Sequence, residues 1–272
     1  MKFETTKLVA WSQLVEHSLP GLLNIIGTAQ GRCLVLGATV LQIYHDQGWI
    51  PRARATGDLD LSVGIVSDAS EYLVLREKLI ASGYTVSDSE RYFRLFSPVK
   101  MGLTMAYIDL LAHPEGKAVS GKEARTTIGV GDRWSFDEIL FALEQSYALP
   151  KNIFVPHPIG FLAMKAASYI DDPTRTKDLV DIVDVVFGLV GGALHFDLGD
   201  AWMAMAGARP SVAVKVKSMI GGIAHGAINW DFSRAEQEFV QRGYDFDRLE
   251  DEASRIFTDF DDQLQLTSSA KA

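Results

Sequence analysis

The chain is short of cysteine, of basic residues and of long apolar runs, and each shortage closes a class of function. Cys33 is the single cysteine among 272 residues, so no internal disulfide can form, and a reducing, cytoplasmic setting is the natural expectation. His113, His157 and His195 have no metal-ligand spacing with one another or with Cys33, which argues against zinc. Lys and Arg number 26 against 35 Asp and Glu, a formal charge of −9. That balance excludes a protein that coats nucleic acid non-specifically, but leaves open an RNA or nucleotide met at a local basic patch. The longest uncharged apolar run, from Val185 to Phe196, is too short to span a bilayer, and "MKFETTKLVAW" lacks the apolar core of a signal peptide. A soluble protein with no membrane partner is expected.

What is present is enough apolar residue, 47%, for a sizeable core in one large domain or two modest ones. The first half mixes periodicities. "KLVAWSQLVEHSLPGLLNIIG" has helical spacing broken at Pro20. "RCLVLG" reads as a strand running into Gly37, and "ATVLQIYHDQG" as a helix ending near Gly48. "GDLDLSV" alternates as a half-buried strand does, and "DASEYLVLREKLIASG" reads as a helix capped by Asp68 and stopped at Gly83. "YTVS", "RYFRLFS" and "LTMAYIDLLAH" are expected strands, with "PVKMG" turning between the last two; "ARTTIGV" is a further candidate strand, and the stretch from Trp134 to Leu143 fits neither period clearly. "LPKNIFVPHPIG", with Pro150, Pro156 and Pro158, reads as a connector. Beyond it come helical patterns only, ending in an acidic helix from about Asp245 to Leu264 and the tail "TSSAKA", expected to be disordered. The expectation is an α+β chain: a mixed sheet with flanking helices over residues 1–150, then an all-helical part over 151–272, with a cleft between them.

The chemistry centres on "RATGDLDLSVG", Arg54 to Gly64. Side chains two apart on a strand share a face, so Asp58 and Asp60 project side by side. Adjacent carboxylates repel and are costly to desolvate, and a divalent cation is the simplest remedy. In "MAYIDLL", Asp109 shares a face with Tyr107; were that strand to lie beside the first, three carboxylates would converge on one or two Mg²⁺ ions. The other reading of Asp109 is a salt bridge to lysine or arginine. Gly37 after the strand allows close backbone approach, and free N–H groups at the following helix start favour phosphate.

The ordered set resembles the polymerase-beta-type nucleotidyltransferase superfamily: a Gly-Ser-like turn opening a helix, then hydrophobic-D-x-D-hydrophobic, then a third Asp on a later strand. Within it the likeness is nearest to the AbiEii-type abortive-infection toxin family, over roughly Leu34 to Val186. It is carried by "LGAT" (Leu36 to Thr39), "RATGDLDL" (Arg54 to Leu61), Lys165 in "FLAMKAASY", and Lys177, Asp178 and Asp181 in "TKDLVDIVDVV". The resemblance implies a nucleotidyltransferase-type sheet on which Asp58, Asp60 and Asp109 ligate Mg²⁺ and Asp109 takes the acceptor's proton. It further implies that Gly37 and Ala38 offer N–H groups to phosphate, that Lys165 neutralises departing pyrophosphate, and that Arg54 and Thr56 brace the Asp strand or touch the nucleotide. Ala38 stands where the superfamily has a serine, so that hydroxyl contact is missing unless Thr39 supplies it. Lys177, Asp178 and Asp181 are implied as nucleotide-binding residues as well; Lys177 and Asp181, one helical turn apart, can pair, and the Asp178 and Asp181 element is expected to be partly architectural.

The implied reaction moves a nucleoside monophosphate from an NTP to an acceptor hydroxyl on tRNA or protein. The implied setting is the toxin of a toxin–antitoxin or phage-defence pair, with an antitoxin protein as partner. Two rivals stand beside it. One is a glycosyltransferase holding a nucleotide sugar through D-x-D; the other is a non-catalytic copy of the fold that binds nucleotide or a partner. Lys165 has a plain alternative as a snorkelling core lysine. Arg209, Lys215 and Lys217 read as a solvated helix face, and the scattered tryptophans as core.

Overall fold

A computed structural model describes residues 3–54, 56–86, 93–101, 104–130, 136–191, 198–225 and 232–269. Seven strands, β1 Cys33–Leu36, β2 Asp58–Ile65, β3 Thr85–Val86, β4 Arg94–Met101, β5 Thr104–Pro114, β6 Tyr147–Leu149 and β7 Ile153–Val155, form one mixed sheet in the order β3-β4-β5-β2-β1-β7-β6. The described helices of the first half are α1 Val9–Gln13, α2 Leu22–Ile26, α3 Gly37–Asp46, α4 Ser70–Ala81, α5 Gly121–Ile128 and α6 Asp137–Glu144. Those that follow are α7 Pro158–Asp171, α8 Thr176–Gly191, α9 Leu198–Ala208, α10 Pro210–Ala224, α11 Glu236–Gln241 and α12 Phe246–Ser269. From Pro158 onward the described residues hold helices and no strand, so the α+β class follows. No helix among the described residues is long and apolar enough to cross a membrane.

The central strands explain themselves. Leu59, Leu61, Val63 and Ile65 on β2, and Ile108, Leu110 and Ala112 on β5, are buried on the face opposite the aspartates. Helix α3 packs on β1 and β2, and α5 on β5; α7, α8, α10 and α12 pack on one another. The two halves meet where α3 touches α8 and where Tyr44 Oη donates to the Pro156 carbonyl at 2.7 Å.

Several local expectations are corrected. "ARTTIGV" is not a strand: its first residues close α5, which Ser120 opens by accepting the Glu123 N–H at 3.1 Å and Gly129 ends at φ +71°. Ser-x-x-Glu is a capping signature, and it outweighs the threonine-rich look of the segment. Pro98 to Met101 do not turn but stay in β4; its register against β5 shifts between Phe96 and Lys100, where Pro98 has no N–H to give. The connector holds a hairpin, since β6 pairs with β7 and β7 pairs in parallel with β1, so the sheet runs past residue 150. Asp68 caps α4 from one position further out, accepting the Ser70 N–H at 2.7 Å. Helix α12 continues to Ser269, into the tail expected to be disordered; residues 270–272 lie outside the described residues. Ser87, Arg91, Tyr92, Gly102 and Leu103 of the expected strands and turn, with Trp134, His195 and Trp230, also fall outside them. Trp11, Trp49 and Trp202 are buried, as core residues should be.

Candidate functional site

Register brings the sequence-predicted acids together. Strands β2 and β5 are parallel neighbours, with Asp60 opposite Asp109 and Asp58 opposite Tyr107. On its other side Asp60 lies opposite Leu36, the last residue of β1, so the turn into α3 closes over it. Gly37 takes φ +64°, and a Cβ there would run into the Asp60 carboxylate. Only glycine combines a left-handed backbone with that contact. Helix α3 then opens with no side-chain cap on its N–H groups.

Each acid has a different environment. Asp60 is half-buried, and burial, then Asp109, then Asp58 push its carboxyl up to about 6, while Lys165 and Arg54 pull the other way. Among the described residues no ion pair reaches Asp58 or Asp60. Asp58 accepts the Tyr107 hydroxyl at 2.8 Å, and burial followed by this bond raises the phenol to about 12, so it stays a donor. Asp109 is buried and both its oxygens are taken: Arg94 Nε reaches Oδ1 and Nη2 reaches Oδ2, each at 2.7 Å. The salt-bridge reading of Asp109 is thus the one observed. Arg94 stands opposite Asp109 in the β4–β5 register and lies over the Tyr107 ring, 3.9 Å from its centroid.

The other predicted residues divide. Thr39 is buried and its hydroxyl donates to the Asp58 carbonyl at 3.0 Å, so it pins the Asp strand instead of facing a phosphate; Ala38 is buried beside it. Thr56 Oγ1 accepts the Asp58 N–H at 3.3 Å, and the Arg54 carbonyl accepts from Gln42 at 3.1 Å, bracing the approach to β2. Lys165 is buried on α7 with its Nζ 2.6 Å from Asp178 and 2.7 Å from Asp181 on α8. Burial opposes its charge, but Asp181 and Asp178 outweigh burial and hold its pKa above the usual lysine value. Burial likewise pushes Asp178 up, yet Lys165 and Arg175 together hold it below the usual carboxylate range. The expected pair of Lys177 with Asp181 is replaced: Lys177 is exposed, while Asp181 turns inward to Lys165, to Arg242 at 2.6 Å and to Arg54 at 3.6 Å.

Between this helical wall and the sheet lies a cavity of about 770 Å³, whose lining includes Gly37, Arg54, Asp60, Asp109, Lys165 and Lys177. That volume suits a nucleotide-sized ligand. Sequence reasoning missed three residues here. Arg94 carried no motif, Arg242 lies about 60 residues from its partners, and His157 accepts the Ile159 N–H at 3.2 Å to cap the helix that presents Lys165. The His157 signal was readable: a polar residue directly before Pro at the first helical position.

Among the described residues no group of three or more His, Cys, Asp or Glu is gathered as a metal-ligand set. The donor chemistry agrees in detail. Asp58 and Asp60, side by side on one strand face with no ion pair to either among the described residues, offer the oxygen donors that suit a single divalent cation. Asp109 is engaged by Arg94 through both oxygens, so as a third ligand it would share its carboxylate with a guanidinium. Comparison with protein-family models, with curated proteins and with solved structures finds no match.

Proposed function

We propose that the cleft binds a nucleoside triphosphate and transfers its nucleotidyl group to an acceptor hydroxyl. The observation that carries this reading is the Asp60–Asp109 register beneath the Gly37 turn, at the floor of a nucleotide-sized cavity. The order of motifs over Leu34 to Val186, with its likeness to AbiEii-type toxins, supports the same chemistry. It also supports a toxin setting with an antitoxin partner and an RNA or protein acceptor.

In the reaction a bond forms between the acceptor oxygen and the α-phosphorus. The α–β phosphoanhydride breaks, and pyrophosphate and a proton leave. Asp58 and Asp60 would hold the Mg²⁺, which when bound supplies neutralisation of triphosphate charge. Helix α3 opens at Gly37 with no side-chain cap, and the N–H groups of a helix start favour anions such as phosphate. Arg54, half-buried at the cavity, and exposed Lys177 at its rim supply the cationic wall facing the phosphates. Lys165 acts more through position than through contact, since two carboxylates already hold its ammonium.

The test is to incubate the protein with labelled NTPs, Mg²⁺ and either total RNA or lysate, alongside Asp60→Asn. Label appearing on a macromolecule with the wild type, and lost with the variant, is the expected result. Equal labelling by both removes Asp60 from the mechanism. No labelling by either, with every NTP, overturns the reading.

A further inference from the structure

Resting on that reading, we propose that Arg94 is the resident cation of the site: it withdraws Asp109 from the ligand set, so that the cleft takes one divalent cation, at Asp58 and Asp60, and Arg94 supplies the second positive centre.

Three independent contacts fix the guanidinium. The β4–β5 register sets Arg94 opposite Asp109, the fork engages both carboxylate oxygens at 2.7 Å, and the Tyr107 ring lies 3.9 Å beneath it. A planar guanidinium matched to a carboxylate by two parallel bonds and stacked on an aromatic face is a stiff arrangement, unlike a lysine swinging on a flexible stem. Its side chain is 17% exposed and that of Asp109 12%, so solvent screens the pair little.

Tyr107 also ties the fork to the metal-fitting pair. Its hydroxyl donates to Asp58 at 2.8 Å while its ring carries Arg94, so one residue holds the cation position and the guanidinium in fixed relation. Charge points the same way. Three carboxylates against one guanidinium leave two negative charges on the sheet side, which one divalent cation neutralises. A second ion at Asp109 would share that carboxylate with the Arg94 fork and would place two dications beside a guanidinium.

The experiment titrates the full chain with Mn²⁺ alone, to millimolar concentration, followed by electron paramagnetic resonance, with thermal melts confirming that each variant is folded. Wild type is expected to bind one isolated Mn²⁺, and Asp60→Asn to weaken it about tenfold or more. Arg94→Gln, which frees Asp109, is expected to bind two ions whose spins couple, as they do when roughly 4 Å apart. The double variant Arg94→Gln with Asp109→Asn removes one charge of each sign, and is expected to return to a single ion at wild-type affinity. A coupled pair in the wild type, or loss of binding in the double variant, makes Asp109 a ligand and overturns the inference while leaving nucleotidyl transfer standing. No Mn²⁺ bound by the wild type overturns the inference too, and the labelling assay then decides the reaction separately.

Discussion

Replacing Arg242 by methionine tests whether the helical wall is held by charge. Arg242 is almost wholly buried, at 9% side-chain exposure, between Asp181 and Asp184, both at 0%. Its two partners would not suffer equally. Asp181 keeps Lys165 at 2.7 Å and Arg54 at 3.6 Å, whereas Asp184 keeps only the Tyr244 hydroxyl at 2.6 Å among the contacts described. Methionine fills most of the volume, so the cost is the uncompensated carboxylate, about 3–5 kcal/mol when one partner of a buried pair is removed. At roughly 2–4 °C per kcal/mol for a chain of this size, the melting temperature should fall by about 6–20 °C. The assay is thermal and urea unfolding of wild type, Arg242→Met, Asp184→Asn and the double variant. Asp184→Asn added to Arg242→Met should recover at least half of the loss, because a neutral amide still accepts the Tyr244 hydroxyl. A single variant within about 1 kcal/mol of wild type, below the cost expected of an unpaired buried charge, would refute the reasoning. A double variant no more stable than Arg242→Met would place the loss in packing instead.

Gly37→Ala should cost about 1–2 kcal/mol from the left-handed backbone alone, and should push Asp60 aside. Mn²⁺ binding weakened about tenfold is the measurable consequence, and unchanged binding would show that the turn does not set the carboxylate. The pH dependence of stability in metal-free buffer isolates Asp60. Its folded carboxyl titrates near 6, above the ordinary value of 3.8, so the folded state holds a proton that the unfolded chain has lost between those values. Stability from this group is therefore full below about pH 4 and is lost as pH rises through 6. Relative to Asp60→Asn, wild type should lose on the order of 2 kcal/mol between pH 4 and pH 7. A gap between the two that stays flat over that range would put Asp60 in a more polar setting.

The sequence made much of the sheet side legible, because the evidence there is local. "GDLDLSV" carries its own period, Gly37 follows a strand directly, and Asp109 sits in an apolar run that only a neighbouring strand could cover. What escaped depended on register. Arg94 stands directly opposite Asp109 in a register that the irregularity between Phe96 and Lys100 offsets from the rest of the pair of strands, and no pattern within "RYFRLFS" announces that partner. Strands β6 and β7 are three residues each, too short to show alternation; their turn uses Lys151 and Asn152 with φ of +66° and +57°, and lysine is an unusual residue there. The Arg242 pairs span the packing of α8 against the α11 end, a tertiary event with no trace in spacing. For α5 the signal existed in Ser120 and Glu123, and β-branched composition obscured it.

These charges also decide which residues can answer to a ligand. On the helical wall Lys165, Arg175 and Arg242 pair with Asp178, Asp181 and Asp184, so that wall cancels itself. Turning Lys165 toward the cavity would break two short contacts, 2.6 Å to Asp178 and 2.7 Å to Asp181, both to buried carboxylates. Arg54 has one longer contact, 3.6 Å from Asp181, and Lys177 is exposed. Under the proposed reading, the cationic response to a triphosphate would come from Arg54 and Lys177 at the cavity wall. Asp58 and Asp60 are reached by no ion pair among the described residues, and under the proposed reading they are where a cation from outside would sit.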